Sequence, residues 1–266
     1  MDYFEAIILG IVQGLTEFLP ISSSGHLEIS KAILGNDFSN KESLLFTIVL
    51  HFATALSTIV FFRKDISQII LGLFDKGDKE SSKFSISIMI SMIPAVLIGL
   101  FFEETINSFF NGNLILVAVM LYVTSILLYL SDIIKLDSKE ITFKNSFLIG
   151  LAQAIAILPG ISRSGATIAT AVVIGIDREK AARFSFIMVI PLIFGSMAKS
   201  IIDNGIAFEN FDFFSVALGF VSAFITGLLA CKWMISLVKK SKLYYFSIYC
   251  CIVGSIIIYY SLKNGI

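Results

Sequence analysis

The chain contains two related stretches that decide its fold, GIVQGLTEFLPISSSGH at positions 10–26 and GLAQAIAILPGISRSG at positions 150–165. At a constant separation of 140 positions, residues of the first stretch recur in the second. The recurring pairs are Gly10/Gly150, Gln13/Gln153, Ile21/Ile161, Ser22/Ser162, Ser24/Ser164 and Gly25/Gly165. Each copy is an apolar, helix-like run that breaks at Leu-Pro and ends in a serine-rich turn closed by glycine. The chain is therefore predicted to contain two equivalent structural units.

The composition excludes an ordinary water-soluble protein. Apolar residues make up 56% of the chain and charged residues 15%, and the mean hydropathy is +0.89. A water-facing surface needs more charge than this, and the apolar runs are long and continuous. We therefore expect an all-α polytopic membrane protein. The formal net charge of zero gives no indication of nucleic acid as a partner.

The lengths of the apolar runs predict how the chain crosses the membrane. Runs of about 20 residues span a bilayer, and six are predicted, separated in the first half by charged loops at 63–83 and 103–113. The predicted transmembrane helices lie near 44–62, 85–102, 114–131, 184–202, 213–234 and 243–262. The segments 3–35 and 146–176 are interrupted at Leu-Pro, and their pieces are too short to span. We expect both to form re-entrant helical hairpins, surrounded by protein or water.

Each half of the chain, about 1–133 and 144–266, thus holds one hairpin and three spans. An odd number of crossings per repeat makes the second half enter from the opposite face. We predict an inverted-topology repeat within a single integral membrane domain (1–266), with the two hairpin tips meeting near the membrane midplane.

The distribution of positive charge predicts the orientation. With the N-terminus outside, most Lys and Arg residues fall in cytoplasmic loops, as the positive-inside rule requires. The outer face then keeps only Lys31, Lys41, Lys199 and Lys263. We expect a multi-pass protein of the bacterial inner (plasma) membrane, with both termini outside and an active site that opens to the exterior.

Three reactive side chains lie in otherwise apolar sequence, namely Glu17, His26 and Arg163. Ionisable residues inside a membrane indicate a functional site. On the predicted topology, Arg163 is the only Lys or Arg within the membrane, and its planar guanidinium suits a phosphate or a carboxylate. The alternative is an internal ion pair with Glu17. Both arrangements are compatible if Arg163 pairs with Glu17 in the empty site and with the substrate anion in the filled site.

The two serine turns are predicted to bind an anion, because helix starts present unpaired N–H groups. The candidate residues are Ser22, Ser24, Gly25, Ser162, Ser164 and Gly165. The alternative is that the serines only cap the broken helix ends.

Gln13 and Glu17 lie one helical turn apart, and their oxygen atoms could hold a hard divalent cation, Mg²⁺ or Ca²⁺, that a phosphate substrate would share. His26 is a candidate general base or proton carrier. Ser23 and Ser24 are candidate nucleophiles if a base lies within reach, with Ser23 preferred, and an activated water is the alternative. His51 is predicted to be a packing histidine, and Glu28 and Gln153 are weaker candidates for supporting roles.

The motifs QGLTEFLPISSSGH (13–26) and LPGISRSGAT (158–167) resemble those of the undecaprenyl-diphosphate phosphatase family, also known for bacitracin resistance. The resemblance extends over the whole chain in length and in the order of its spans. It implies hydrolysis of a C55 polyprenyl diphosphate to the monophosphate and inorganic phosphate, assisted by a divalent cation, which recycles the lipid carrier for peptidoglycan and other envelope polymers. Gln13 stands where many members have Glu, so a metal site here would depend more on Glu17.

By this resemblance, the family's acidic motif falls on Gln13 and Glu17 and its histidine on His26. The two remaining motifs fall on Ser22, Ser23 and Ser24 and on Ser162, Arg163 and Ser164. The expected partners are the polyprenyl diphosphate and membrane lipids. The oligomeric state is left open, a homodimer included.

A transporter is the main alternative function, since inverted repeats with broken helices are typical of transporters. An enzyme that also flips the lipid carrier is a second alternative. A passive scaffold in a cell-wall assembly is a third, although ionisable groups at the midplane argue against it.

Overall fold

The computed structural model describes residues 2–34, 40–74, 78–109, 113–134, 139–204, 212–240 and 242–264. Within these ranges the chain is helical throughout and forms no strand; Lys139 and Ile176 make an isolated backbone bridge. The helices are α1 (Tyr3–Phe18), α2 (Ser23–Leu34), α3 (Asn40–Phe61), α4 (Arg63–Phe74), α5 (Lys79–Phe101), α6 (Glu103–Phe109), α7 (Leu114–Ile133), α8 (Phe143–Ile155), α9 (Arg163–Val173), α10 (Arg178–Asn204), α11 (Phe213–Lys239) and α12 (Tyr244–Asn264).

The long helices fall where the sequence predicts spans. Helices α5, α7, α10, α11 and α12 are long and apolar enough to cross a membrane. A sixth span is counted if α3 and α4, which meet at an angle of 78°, are taken together. The chain is therefore an all-helical, multi-pass membrane protein. The surface agrees with this, because large apolar side chains such as Leu100, Leu229 and Ile256 are exposed on it.

Two predicted loops contain short helices. Helix α4 occupies most of the predicted loop 63–83, and α6 lies within the predicted loop 103–113. In α4, Ile66 and Ile69 pack against the main apolar cluster, while Leu71 and Phe74 are exposed. A short amphipathic helix of this kind carries too much charge to resemble a span, so its sequence pattern predicts a loop.

Both repeated stretches break where expected. Helix α1 ends at Phe18, and α2 begins at Ser23 after a turn in which Ser22 has a φ of 72°. Helix α8 ends at Ile155, and α9 begins at Arg163 after a longer turn. The chain thus forms two pairs of short helices joined at their tips.

The helices from the two halves of the sequence pack against each other. Helix α1 lies against α11, α8 lies against α5, and α7 lies against α12. The largest apolar cluster accordingly combines Phe18 and Leu121 with Met188 and Met234. The hairpin formed by α1 and α2 is therefore held largely by the other half of the chain.

Glycines allow these pairs of helices to approach closely. A Cβ atom on Gly10 of α1 would lie 2.4 Å from the carbonyl oxygen of Gly219 on α11. A Cβ atom on Gly150 of α8 would lie 2.4 Å from the carbonyl oxygen of Ser91 on α5. Since both obstacles are backbone atoms, neither pair could keep its present distance with a larger residue.

We predict that Gly150→Ala destabilises the protein, because the added methyl group forces α8 away from α5. Overpacking of this kind costs about 1–3 kcal/mol, so thermal unfolding in detergent should occur at a lower temperature. Gly99→Ala in α5 is the matched control, since nothing lies within 4 Å of its Cβ position. Unchanged stability of Gly150→Ala would show that α8 and α5 are not in this contact.

Candidate active site

The tips of the two hairpins have the same local structure. The hydroxyl oxygen of Ser22 accepts a hydrogen bond from the backbone N–H of Gly25 at 3.2 Å, and that of Ser162 accepts one from Gly165 at 3.1 Å. The serine two positions further on lies near the same hydroxyl in each tip: the Oγ–Oγ distance is 3.3 Å from Ser22 and 3.2 Å from Ser162. Each serine turn therefore caps the helix that follows it, which is the alternative to anion binding given above for these residues.

The two tips are in contact with each other. A Cβ atom on Gly25 would lie 3.2 Å from the Cα of Gly160, and one on Gly165 would lie 3.2 Å from the Cβ of Pro20. These two contacts are equivalent, because Pro20 and Gly160 are 140 positions apart, as Gly25 and Gly165 are. Each contact therefore joins the same two positions of opposite hairpins. The hydroxyl of Ser164 also approaches the carbonyl oxygen of Leu19 at 3.3 Å. The side chains at both tips therefore share one location.

Arg163 and Glu17 form an ion pair across this contact. Nη2 of Arg163, at the first position of α9, donates a hydrogen bond to Oε1 of Glu17, near the end of α1. The carboxylate side chain is 3% exposed and the guanidinium side chain 21%. A buried charge requires a partner of the opposite sign, and each of these groups provides that partner for the other.

The second carboxylate oxygen of Glu17 is the acceptor for two further donors. Oε2 receives hydrogen bonds from the hydroxyl of Ser23 at 2.8 Å and from Nε2 of Gln13 at 2.9 Å. The amide oxygen of Gln13 is buried and has no hydrogen-bond partner in the described part of the chain. Glu17 is thus the base within reach of Ser23 that a serine nucleophile requires.

His51 belongs to this cluster, although it is predicted above to be a packing residue. Its Nδ1 donates to the carbonyl oxygen of Thr47 at 2.8 Å, as in a packed histidine, but its Nε2 lies 3.9 Å from Oε2 of Glu17. Apolar neighbours along α3 gave no sign of this, because the proximity depends on how α3 packs against α1.

His26 is held at the edge of the cluster. Its Nδ1 lies 2.8 Å from the carbonyl oxygen of Ser22, and its Nε2 lies 2.8 Å from the hydroxyl of Tyr249 on α12. The partners of both ring nitrogens are therefore groups other than Glu17. Tyr249 was not among the predicted site residues, since a tyrosine in an apolar span carries no local signal of function.

The weaker candidates lie outside the cluster. Glu28 pairs with Lys31 one turn along α2, at 3.4 Å. Gln153 donates through Nε2 to the carbonyl oxygen of Ser91 on α5 at 3.4 Å. Both residues thus have contacts that serve their own helices or the packing of α8.

A narrow cavity adjoins the ion pair. Its volume is about 10 Å³, which is room for about one water molecule. Polar and apolar side chains both line it, namely Glu17, Thr58, Arg163, Ser164 and Ser185 together with Phe18, Phe186, Val189 and Ile193.

No group of three or more His, Cys, Asp or Glu side chains able to hold a metal ion occurs among the residues that the structure describes. The oxygen atoms of Gln13 and Glu17 are the available donors beside the ion pair. A cation held there would need further ligands from a bound phosphate or from water.

The cluster contains what a phosphoryl transfer needs from a protein. The Ser23 hydroxyl donates a hydrogen bond to the Glu17 carboxylate, which can accept its proton. The Arg163 guanidinium beside them can stabilise negative charge on phosphate oxygens. Glu17 and Ser23 come from the first hairpin and Arg163 from the second, and Glu17 and Arg163 are 146 positions apart in the chain.

Known proteins resemble this chain over nearly its whole length. The family described as "Bacitracin resistance protein BacA" matches residues 6–256. A protein of Christiangramia forsetii named undecaprenyl-diphosphatase is 58% identical, with 96% of each chain covered. A protein of the same name from Bacteroides fragilis is 48% identical, covering 97% of this chain and 98% of its own. One from Methanobrevibacter smithii is 41% identical, with 97% of each chain covered. The chain therefore belongs to the BacA family.

Proposed function

We propose that the protein is an undecaprenyl-diphosphatase, which hydrolyses undecaprenyl diphosphate to undecaprenyl phosphate and inorganic phosphate. The observation that carries the proposal is the contact of Ser23, Glu17 and Arg163 at the meeting point of two hairpins. The relatives named for this activity support it. The product is the lipid carrier for peptidoglycan and other envelope polymers, and its recycling is the basis of bacitracin resistance in this family.

The contacts of Glu17 support attack by a serine. Oε1 faces Arg163, whereas Oε2 accepts the hydrogen bond from Ser23 at 2.8 Å. In the first step Glu17 takes the proton, the Ser23 oxygen bonds to the terminal phosphorus, and the bond to the bridging oxygen breaks, which releases undecaprenyl phosphate. In the second step a water molecule attacks the phosphorus of the phosphoserine, the bond to the Ser23 oxygen breaks, Glu17 returns its proton to that oxygen, and inorganic phosphate is released. The alternative is a single step in which water, activated by Glu17, attacks directly.

Arg163 is the group that binds the diphosphate. Its fork of N–H donors matches two phosphate oxygens as well as it matches a carboxylate. Substrate binding would therefore draw Arg163 from Glu17 to the phosphate, with Ser22, Ser24, Gly25 and their counterparts Ser162, Ser164 and Gly165 beside it. The apolar residues Val189 and Ile193 of the cavity lining would contact the start of the lipid chain.

We further propose that a divalent cation, Mg²⁺ or Ca²⁺, binds beside the ion pair. The unpartnered amide oxygen of Gln13 and the carboxylate of Glu17 would hold it, together with substrate oxygens. When bound, such a cation neutralises part of the negative charge of the diphosphate. Gln13 and Ser23 keep the carboxylate in place by donating to its Oε2.

The two halves are proposed to form an inverted-topology repeat with two re-entrant hairpins. The packing between the halves supports this. Helix α1 of the first half lies against α11 of the second, and α8 of the second half lies against α5 of the first. The reciprocal contacts of Gly25 with Gly160 and of Gly165 with Pro20 support it as well, because a two-fold axis produces contacts in such pairs.

The positive charges favour both termini outside, with the active site open to the exterior of the plasma membrane. The ion pairs Arg178–Asp132, Arg183–Asp65 and Lys239–Glu179 would then lie at the cytoplasmic end. A homodimer stays a prediction, tested by the mass of the protein in detergent.

We expect Arg163→Ala to lower phosphate release from undecaprenyl diphosphate by about 100- to 1,000-fold, because loss of one charge-stabilising donor has effects of this size. Since this change leaves Glu17 buried without its partner, it also destabilises the fold. The double variant Arg163→Ala/Glu17→Gln removes both charges and should regain stability without regaining activity. Phosphate release and thermal unfolding in detergent are measured together.

The control for Arg163 is Arg183→Ala, which removes an arginine paired with Asp65 at 2.6 Å outside the cluster. Its rate should remain near that of the wild type. Turnover near normal in Arg163→Ala would remove the guanidinium from the mechanism. Absence of phosphate release in the wild type, with transport of a lipid or an anion in vesicles, would favour the transporter.

Ser23→Ala separates the serine route from the water route. On the serine route the rate falls by at least about 1,000-fold, and wild-type protein quenched in acid during turnover carries labelled terminal phosphate on Ser23. Ser85→Ala is the control, because the Ser85 hydroxyl donates within its own helix, to the carbonyl oxygen of Ser81 at 2.9 Å. Substantial activity of Ser23→Ala would exclude this serine as the nucleophile.

Removal of divalent cations by a chelator should abolish phosphate release, and added Mg²⁺ or Ca²⁺ should restore it. Gln13→Ala should raise the cation concentration needed for half-maximal rate by about 10-fold, because one oxygen ligand is lost. Gln153→Ala, its counterpart in the second stretch, should leave that concentration unchanged, since Gln153 bonds to α5. Full activity in the presence of chelator would overturn the cation proposal.

A further inference from the structure

Tyr249 contacts the candidate proton carrier His26 from a distant part of the chain. The two residues are 223 positions apart, and the tyrosine hydroxyl lies 2.8 Å from Nε2 of the imidazole. The two rings are also stacked, with centroids 5.7 Å apart and an angle of 15° between their planes. Tyr249 thus connects α12 to the first hairpin tip through a hydrogen bond to His26.

The other ring nitrogen of His26 fixes the direction of this hydrogen bond. Nδ1 lies 2.8 Å from the carbonyl oxygen of Ser22. A carbonyl oxygen only accepts, so Nδ1 carries the hydrogen. In the neutral ring Nε2 then holds the lone pair and accepts the hydrogen of the Tyr249 hydroxyl. One tautomer and one ring orientation therefore satisfy both partners.

Both partners are themselves held in place. Ser22 has a φ of 72°, rare for a residue other than glycine, and its carbonyl oxygen also accepts the backbone N–H of His26 at 3.1 Å. Helix α12 is fixed against α7, where the hydroxyls of Ser125 and Ser247 lie 3.0 Å apart. The imidazole is thus held between a strained turn and a helix that is anchored elsewhere.

We propose that Tyr249 is a positioning residue of the phosphatase reaction, which acts by holding His26 in the tautomer with its hydrogen on Nδ1 and the Nε2 lone pair directed at the tyrosine hydroxyl. This inference rests on the proposed function and on His26 as its proton carrier, for a proton other than that of Ser23, which Glu17 takes. Without the hydroxyl, the bond to Ser22 remains, but Nε2 loses its partner and the imidazole samples other tautomers and orientations. A smaller fraction of molecules then has His26 ready for proton transfer.

The expected consequence is a fall in kcat with little change in KM, because Tyr249 acts on a step after binding. General acid–base groups contribute about 100- to 10,000-fold to a rate, and imperfect positioning removes part of that contribution. We expect Tyr249→Phe, which keeps the stacked ring, to lower kcat by about 10-fold and to change KM by less than about 2-fold.

A structural role for Tyr249 in holding α12 would give a different result. In that case the loss would add to the loss caused by His26→Ala. If Tyr249 acts through His26, the Tyr249→Phe change has no further effect in the His26→Ala background, as a double-mutant cycle measures. Tyr122→Phe is the matched control: it removes the 2.7 Å hydrogen bond between Tyr122 of α7 and Ser255 of α12, outside the site.

Nitrogen-15 NMR of the imidazoles, on the full-length protein in detergent, reports the tautomer directly. The chain has only 2 histidines, so His51 serves as an internal reference, because its own Nδ1 bond to Thr47 does not involve Tyr249. In Tyr249→Phe the His26 signals should move towards a mixture of tautomers while the His51 signals stay. In Tyr122→Phe neither should change.

An unchanged kcat, an additive loss in the double variant or unchanged His26 signals would each overturn the proposal. Its failure is distinguishable from failure of the proposed function. If the wild type releases no phosphate, the function is wrong, whereas the NMR result still decides whether Tyr249 fixes the tautomer of His26.

Discussion

The ion pair between Arg163 and Glu17 is the interaction on which the site depends. Each charge lies among apolar helices, where an unpaired charge would be too costly to bury. Because one charge comes from the first hairpin and the other from the second, neither hairpin can bury its charge without the tip of the other. The ion pair therefore makes the assembly of the site a condition of folding, and it places Ser23 and Gln13 on the same carboxylate.

Close packing of the hairpins makes this pairing feasible. Gly10 and Gly150 bring α1 and α8 against the backbones of their partner helices, and Gly25 and Gly165 bring the tips together. Since a side-chain carboxylate reaches only a few ångströms, a spacing set by larger residues would separate the charges. The serines that cap α2 and α9 satisfy the broken helix ends, and the same short turns bring Arg163 and Ser23 to the first position of their helices.

The sequence predicted those parts of the fold that depend on local pattern. Apolar length placed the six long helices, the Leu-Pro breaks placed the interruptions between α1 and α2 and between α8 and α9, and the repeat indicated that Glu17 and Arg163 belong together. It did not predict α4, because a short amphipathic helix looks like a charged loop. It also did not predict His51 beside Glu17 or Tyr249 beside His26, since both proximities depend on packing between distant helices.

Because the cavity is narrow, binding of the diphosphate and proton transfer from Ser23 to Glu17 would be coupled. With room for about one water molecule, the cavity would admit a diphosphate only after Arg163 leaves Glu17, as the proposed mechanism requires. Glu17 would then lose the guanidinium and keep Ser23 and Gln13 as hydrogen-bond donors, and uptake of a proton would offset that loss. The nearest hydroxyl proton is that of Ser23, 2.8 Å from Oε2. Binding of the substrate would thus itself favour activation of the nucleophile, and the empty site, with its charges paired, would keep the serine protonated.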